Sequence, residues 1–192
     1  MNLAFYDRPV LEVAEDLVGC TLRHGETAGI VVETEAYHYT EEACHAYVGI
    51  TPRTKVLWGP PGIAYVYRSY GIHALLNAVC EPEGVGAAVL VRAIEPTDGI
   101  EVMRARRGPV PDRELCNGPG KLTQALGIGL ELNATSLLDG PVAFEPRSAD
   151  VEVVRTAPRI GITRAVELDW RFTLADSRHV SRPYPKVATP SA

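Results

Sequence analysis

The sequence predicts an α+β fold in one domain, on three observations. Two pairs of short, β-prone segments are each closed by a turn composition, the pattern of antiparallel hairpins. Short helical stretches are interspersed with these hairpins, and that mixture points to α+β. No internal repeat or linker interrupts the 192 residues, a length that buries a substantial core without metals or disulfides.

The elements follow in order. Residues 9–18 read as a helix: Val10, Val13, Ala14 and Leu17 share one stripe, Pro9 suits the first turn, and Gly19 suits the position just past the end. Residues 20–23 and 29–37 read as a hairpin joined through His24-Gly25-Glu26, and 38–62 as a long loop or a set of short turns. Residues 64–70 and 72–80 flank Gly71 as a second hairpin, with Tyr70 at or next to its tip. Residues 84–94 form an almost wholly apolar strand interrupted by Arg92. Residues 98–107 read as a helix with Ile100 and Met103 inward and arginines at its C-terminal end, where the helix dipole favours them. Residues 119–126 make a further short helix closed by Gly127, after which short strands and turns alternate and 183–192 read as a tail.

Bulk properties exclude several classes. Cys20, Cys44, Cys80 and Cys116 are scattered without a C-x-x-C pair, so reduced thiols in a cytoplasm are expected rather than a disulfide frame or a zinc site. Asp7, Glu12, Glu15 and Asp16 stand where a leader would be cationic, so no export is expected, and the longest apolar run, 85–91, is too short to span a bilayer. The net charge of −5 is uneven: residues 1–50 carry −7, residues 51–192 carry +2, and residues 153–186 alone reach +4. A weakly basic face on an acidic body is one reading; an ordinary mixed-charge surface is the other.

The segment most suggestive of chemistry is Val32-Glu33-Thr34-Glu35-Ala36-Tyr37. Strand periodicity puts Glu33, Glu35 and Tyr37 on one face, where neighbouring carboxylates repel and are costly unless a site uses them. Roughly 7 Å separates the attachment points of Glu35 and Tyr37, so a flat group stacked on Tyr37 would bring a bond at its edge within reach of Glu35. The plainer alternative is an edge strand with a solvated carboxylate, and Glu33 is expected to be an ordinary exposed residue. In Tyr65-Val66-Tyr67-Arg68-Ser69-Tyr70-Gly71, the first two tyrosines read as packing, whereas a large ring at a hairpin tip suits a wedge between stacked bases or folds back on its own hairpin. Asn77 and Arg92 each sit in an apolar strand and need a partner or a cavity; Glu35 is a candidate for Arg92, and Glu95 or another surface acid is the alternative. His45 is a loop histidine, and Glu33, Glu35 and His45 would formally make a metal site, although no helical H-E-x-x-H pattern supports it. Gly118-Pro119-Gly120-Lys121 lacks the remaining residues of a phosphate loop, but Lys121 at a helix N-terminus could hold a backbone phosphate.

Taken together and in this order, these residues resemble the alkyladenine (3-methyladenine) DNA glycosylases. The likeness is carried by Phe5-Tyr6-Asp7-Arg8-Pro9, Val32 to Tyr37, Ala43-Cys44-His45, Thr51-Pro52-Arg53, Tyr65-Val66-Tyr67 with Tyr70-Gly71, Asn77, Val89-Leu90-Val91-Arg92-Ala93, and Gly118-Pro119 with Lys121-Leu122. It runs from about residue 3 to 186.

The resemblance implies a single compact α+β domain over residues 1–186, followed by a flexible tail at 187–192, with a curved, mostly antiparallel sheet, a protruding β-hairpin and flanking helices. It implies no cofactor and no metal, a monomer acting on double-stranded DNA that contains damaged purines, no membrane association, and a cytoplasmic or nucleoid location, nuclear in a eukaryote. By motif position Glu35 corresponds to the general base that activates water, and Arg92 to the partner that orients it. Tyr37, His45 and Tyr67 correspond to the base pocket, Asn77 to the side chain that disfavours guanine, and Tyr70 to the intercalating wedge. Arg53 and Lys121 are expected to meet the DNA backbone. With Lys55, Lys121 and Lys186 the only lysines, none of them in the aromatic strands, a monofunctional enzyme without strand cleavage is expected. The implied substrates are alkylated or deaminated purines of the 3-methyladenine, hypoxanthine and ethenoadenine class. The sequence departs from the family pattern at His38-Tyr39-Thr40, at Ala46, across Thr54-Lys55-Val56-Leu57-Trp58 and at His73.

Overall fold

A computed structural model describes residues 1–147 and 154–182. The chain opens with a one-turn helix α1 (Leu3–Tyr6) and continues into α2 (Val10–Leu17), whose buried stripe is Val10, Val13, Ala14 and Leu17. A hairpin follows, β1 (Thr21–His24) and β2 (Thr27–His38). The segment beyond it consists of turns and two single-turn 3-10 helices, His45–Val48 and Lys55–Trp58. The second hairpin is β3 (Ala64–Ser69) and β4 (His73–Val79), and β5 (Ala87–Asp98) completes the central strands. Two helices, α3 (Ile100–Arg107) and α4 (Pro119–Leu126), precede β6 (Val142–Glu145), β7 (Val154–Ala157) and β8 (Arg171–Leu174).

The sheet runs β3-β4-β5-β2-β1-β6, with β8 joined to β2 and β7 to β8, and the pairings within it are antiparallel. The α+β expectation therefore holds, with the expected curled antiparallel sheet and hairpin. β2 pairs with β5 on one side; on the other it pairs first with β1 and then, over Glu33–Glu35, with β8. The acidic segment is thus flanked by strands on both sides, not at an edge.

Alternation assigns the two faces. Ala36, Val89, Ala78 and Ala64 stand opposite one another on β2, β5, β4 and β3 and belong to the buried core together with α2 and α4 residues. On the reverse face the matching row is Glu35, Leu90, Asn77 and Tyr65. Three irregularities interrupt the β2–β5 register, two of which pass over Val32 on β2 and Arg92 on β5. Such bulges re-aim side chains, and this one turns Arg92 toward the carboxylates.

Differences from the sequence expectations are local. α1 was not anticipated, although Asn2 caps it by accepting from the Phe5 N–H. β5 begins later than expected and runs on through Pro96, which pairs opposite Gly29 beside a register shift. The expected tail at 183–192 lies outside the described residues.

Candidate active site

On the Glu35 face of the sheet lies a cavity of about 650 Å³. β2 contributes Tyr37; β3 and β4 contribute Tyr65, Tyr67 and Asn77; β5 contributes Ala88, Leu90 and Arg92. His45, the start of α4 and the loop Ile160–Arg164 close it. Two close approaches shape the enclosure. A side chain at Gly86 would put Cβ 2.7 Å from the Ala46 methyl and 2.9 Å from the Trp58 ring, so glycine there lets the 45–58 segment fold down beside β5. A Cβ at Gly120 would sit 2.8 Å from His73, so α4 meets the tip end of the β3–β4 hairpin through its second residue.

Behind this cavity is a buried ionic network. Glu35 is fully buried and accepts from Tyr37 Oη at 2.8 Å and Arg92 Nη1 at 3.2 Å on Oε2, and from the Ile160 N–H at 2.6 Å on Oε1. A carboxylate has about four lone-pair sites, so roughly one is left for a further donor such as water. Tyr37, Arg92 and Ile160 line the cavity, which places Glu35 directly beneath its wall. Burial, with the Glu35 charge and hydrogen bond second, holds the Tyr37 phenol well above its ordinary range, so it stays a donor to the carboxylate.

Glu33 corrects the sequence reading. It is not an exposed residue but completely buried, accepting from Arg92 Nε at 3.0 Å, Arg171 Nε at 2.7 Å and Ser181 Oγ at 2.8 Å, and from the Ser181 N–H. The repulsion expected between the two glutamates is thereby answered by Arg92, which binds both, and by Arg171 on β8. Glu95 instead approaches His179, at 3.8 Å. Glu33 and Glu35 are occupied by arginine while His45 bonds elsewhere, so the three do not assemble as metal ligands.

The aromatic residues form two walls. Tyr65 and Tyr67 stack at 5.3 Å, and His45 meets Tyr67 edge-on at 4.6 Å. His45 Nε2 faces Arg53 Nη2 at 3.1 Å, and its Nδ1 lies 3.2 Å from Tyr65 Oη. Because arginine can only donate, Nε2 is the acceptor and Nδ1 carries the proton. Burial, then the Arg53 charge, push the His45 pKa down to about 4. Burial likewise raises Tyr67 to about 12. Tyr37 stands across the hollow on β2. Asn77 Nδ2 donates to the Tyr65 carbonyl at 3.0 Å, which fixes the amide at the cavity floor.

Tyr70 protrudes from the hairpin, 91% exposed, with Ile72 beside it at 77%. Tyr70 and Gly71 have φ of 49° and 73°, and the Ile72 N–H closes the turn onto the Ser69 carbonyl at 3.1 Å. A left-handed tyrosine is strained by about 1–2 kcal/mol, a cost that makes a functional role worth testing. Arg53 is exposed, its guanidinium over the Tyr67 ring at 5.4 Å. Lys121 lines the cavity with Nζ donating to Asn117 at 2.8 Å.

The family model for methylpurine-DNA glycosylases matches residues 4–178. The chain belongs to the methylpurine-DNA glycosylase family. Its members are enzymes that hydrolyse N-glycosyl bonds in DNA. Similar proteins, named provisionally as 3-methyladenine DNA glycosylases, occur in Rhodopseudomonas palustris, at 55% identity over 95% of this chain and 88% of the relative, and in Bradyrhizobium diazoefficiens, at 55% over 97% and 92%. A relative with the same provisional name in Methanoculleus marisnigri is 51% identical over 93% of this chain and 97% of the relative.

Several residues around this cavity escaped the sequence reading. Arg171 was detectable, since it is a charge inside Trp170-Arg171-Phe172-Thr173-Leu174, the same signal that marked Arg92. Ser181 and the Ile160 N–H carried no signal. Three of the cations in the basic stretch 153–186 are taken up in ion pairs: Arg159 and Arg171 are buried in theirs, and Arg164 pairs with Glu42 at 3.2 Å. Among the described residues no helix is long and apolar enough to cross a membrane.

Proposed function

We propose that this glycosylase excises 3-methyladenine and related alkylated or deaminated purines, hypoxanthine and ethenoadenine among them, from double-stranded DNA by water attack on the base–sugar bond. The observation that carries the reading is the placement of Glu35, tied to Arg92 and Tyr37, immediately beneath an aromatic cavity of about 650 Å³. That volume falls within the range of roughly 300–1,000 Å³ usual for small-molecule sites.

A base stacked in a duplex cannot be attacked, so it is rotated out, at a smaller cost when it is damaged. The hole left behind is filled by Tyr70, whose exposed ring suits a wedge at the minor groove. The purine lies between Tyr37 and the His45–Tyr67 wall, and Asn77 crowds its 2-position. A cationic ring gains about 0.5–2 kcal/mol from such aromatic faces. Glu35 takes a proton from water as the water oxygen bonds to the sugar carbon; the glycosidic bond breaks and its electrons leave with the base. A 3-methylated adenine departs neutral and needs no acid, whereas hypoxanthine and ethenoadenine, uncharged in the strand, take up a proton from solvent on the ring as they leave. Arg92 aims Glu35 through its hydrogen bond to Oε2, and Arg53 and Lys121 steady the strand at the rim.

Among the described residues, Lys121 is the lysine that lines the cavity, but it is held by Asn117, so the enzyme leaves an abasic site and does not cut the strand; it works as a monomer. The test offers duplexes containing 3-methyladenine, hypoxanthine or ethenoadenine and measures free base and alkali-labile sites. Release of 3-methyladenine with strand breakage only after alkali is expected; no release from any of the three refutes the reading.

A further inference from the structure

One buried charge beside the cavity has no place in the mechanism so far. Arg159 follows β7, and its side chain has no exposure. Nη1 and Nη2 grip the two Glu41 oxygens at 2.7 and 2.9 Å, and Nη1 also donates to the Ala36 carbonyl at 2.9 Å. The guanidinium carbon lies 4.6 Å from the centre of the Tyr37 ring and 5.3 Å from that of Trp170. Arg159 does not line the cavity, whereas Tyr37 does, so the cation supports the ring from a side the cavity does not use.

The neighbouring residue gives this clamp its consequence. Ile160 donates its N–H to Glu35 Oε1, and Ile160–Arg164 form one wall of the cavity. Ala36, to which Arg159 is bonded, lies between Glu35 and Tyr37 on β2. A single guanidinium thus ties the wall loop to β2 where the carboxylate and its phenol donor both lie.

We propose that Arg159, fixed by Glu41, is a positioning residue for base excision. It sets the Ile160 N–H on one oxygen of Glu35 and holds the Tyr37 ring so that its hydroxyl stays on the other. Two of the three hydrogen bonds that aim the carboxylate depend on it, although it touches neither substrate nor water. The pairing needs a planar fork: a lysine keeps the charge against Glu41 but cannot bond both carboxylate oxygens and the Ala36 carbonyl while lying flat on a ring. Catalytic geometry is sensitive to displacements of about 1 Å, which can cost on the order of 100-fold.

The inference rests on Glu35 being the base, and the experiment separates the two. Single-turnover release from a 3-methyladenine duplex is measured for the wild type, Glu35→Gln, Arg159→Lys and Glu41→Gln, alongside duplex affinity and thermal melting. Release by the wild type and its loss in Glu35→Gln uphold the underlying reading independently of Arg159. Arg159→Lys is then expected to release base about 10- to 100-fold more slowly, with lesion-duplex Kd changed less than about 3-fold, and Glu41→Gln to shift the same way by a smaller factor. Glu41→Gln decides the matter if the lysine variant does not fold, since it leaves the arginine in place. An unchanged rate in a folded variant, or rate and affinity falling in proportion, would overturn the proposal, because a role confined to stability gives no rate loss at full binding.

Discussion

Replacing Glu33 with glutamine tests the buried network without altering its shape. The carboxylate accepts from Arg92, from Arg171 and twice from Ser181, and it is fully buried. The amide keeps one acceptor oxygen and presents an NH₂ to groups that also donate, so some donors lose their partner and Arg171 loses the charge it faces. Breaking a buried pair by removing one partner costs about 3–5 kcal/mol. Against a total stability of about 5–15 kcal/mol that is a large fraction. For a domain of this size each kcal/mol lowers Tm by roughly 2–4 °C, so a fall of about 6–20 °C is expected by differential scanning calorimetry. Glu35→Gln should cost less, because the Tyr37 hydroxyl can rotate and accept from the amide. A loss below about 1 kcal/mol in Glu33→Gln would show that the network contributes little to folding, and the reasoning that makes Glu33 the anchor of Arg92 would fail.

Two further predictions concern the wedge and the pocket. Tyr70→Ala should weaken lesion-duplex binding by about 1–3 kcal/mol, the worth of one base–aromatic stack, and single-strand binding by clearly less; equal losses in a fluorescence-anisotropy titration would argue against a wedge. His45, with its pKa lowered to about 4, binds its proton more weakly folded than unfolded. Its contribution to stability is therefore complete above the unfolded value of about 6.5 and is lost as pH falls toward 4. His45→Gln should flatten that part of a urea-denaturation profile, and an unchanged slope between pH 4 and 6.5 would contradict the assigned direction.

How legible the molecule is from its sequence depends on the range of the interaction. Helix α4 could be read to its ends because Pro119 and Gly127 are local signals, and the hairpins because their strands and turns are contiguous. The shared face of Glu35 and Tyr37 follows from a two-residue period and is realised as a direct hydrogen bond. Glu33 was misread because its partners, Arg171 and Ser181, lie 138 and 148 residues away, and strand periodicity says nothing about what covers a face. The bulge at Arg92 is equally silent, since an extra residue in a ladder exists only relative to the opposing strand. Arg159 stood in a charge-rich stretch that reads as surface until Glu41 is brought against it.

The most direct measurement is single-turnover base release by Glu35→Gln on a 3-methyladenine duplex, with lesion-duplex affinity determined on the same preparation. The amide is close in size and cannot take a proton from water, so release should be abolished while binding stays nearly intact. Turnover at the wild-type rate would remove Glu35 from the chemistry and, with it, the function assigned to this cavity.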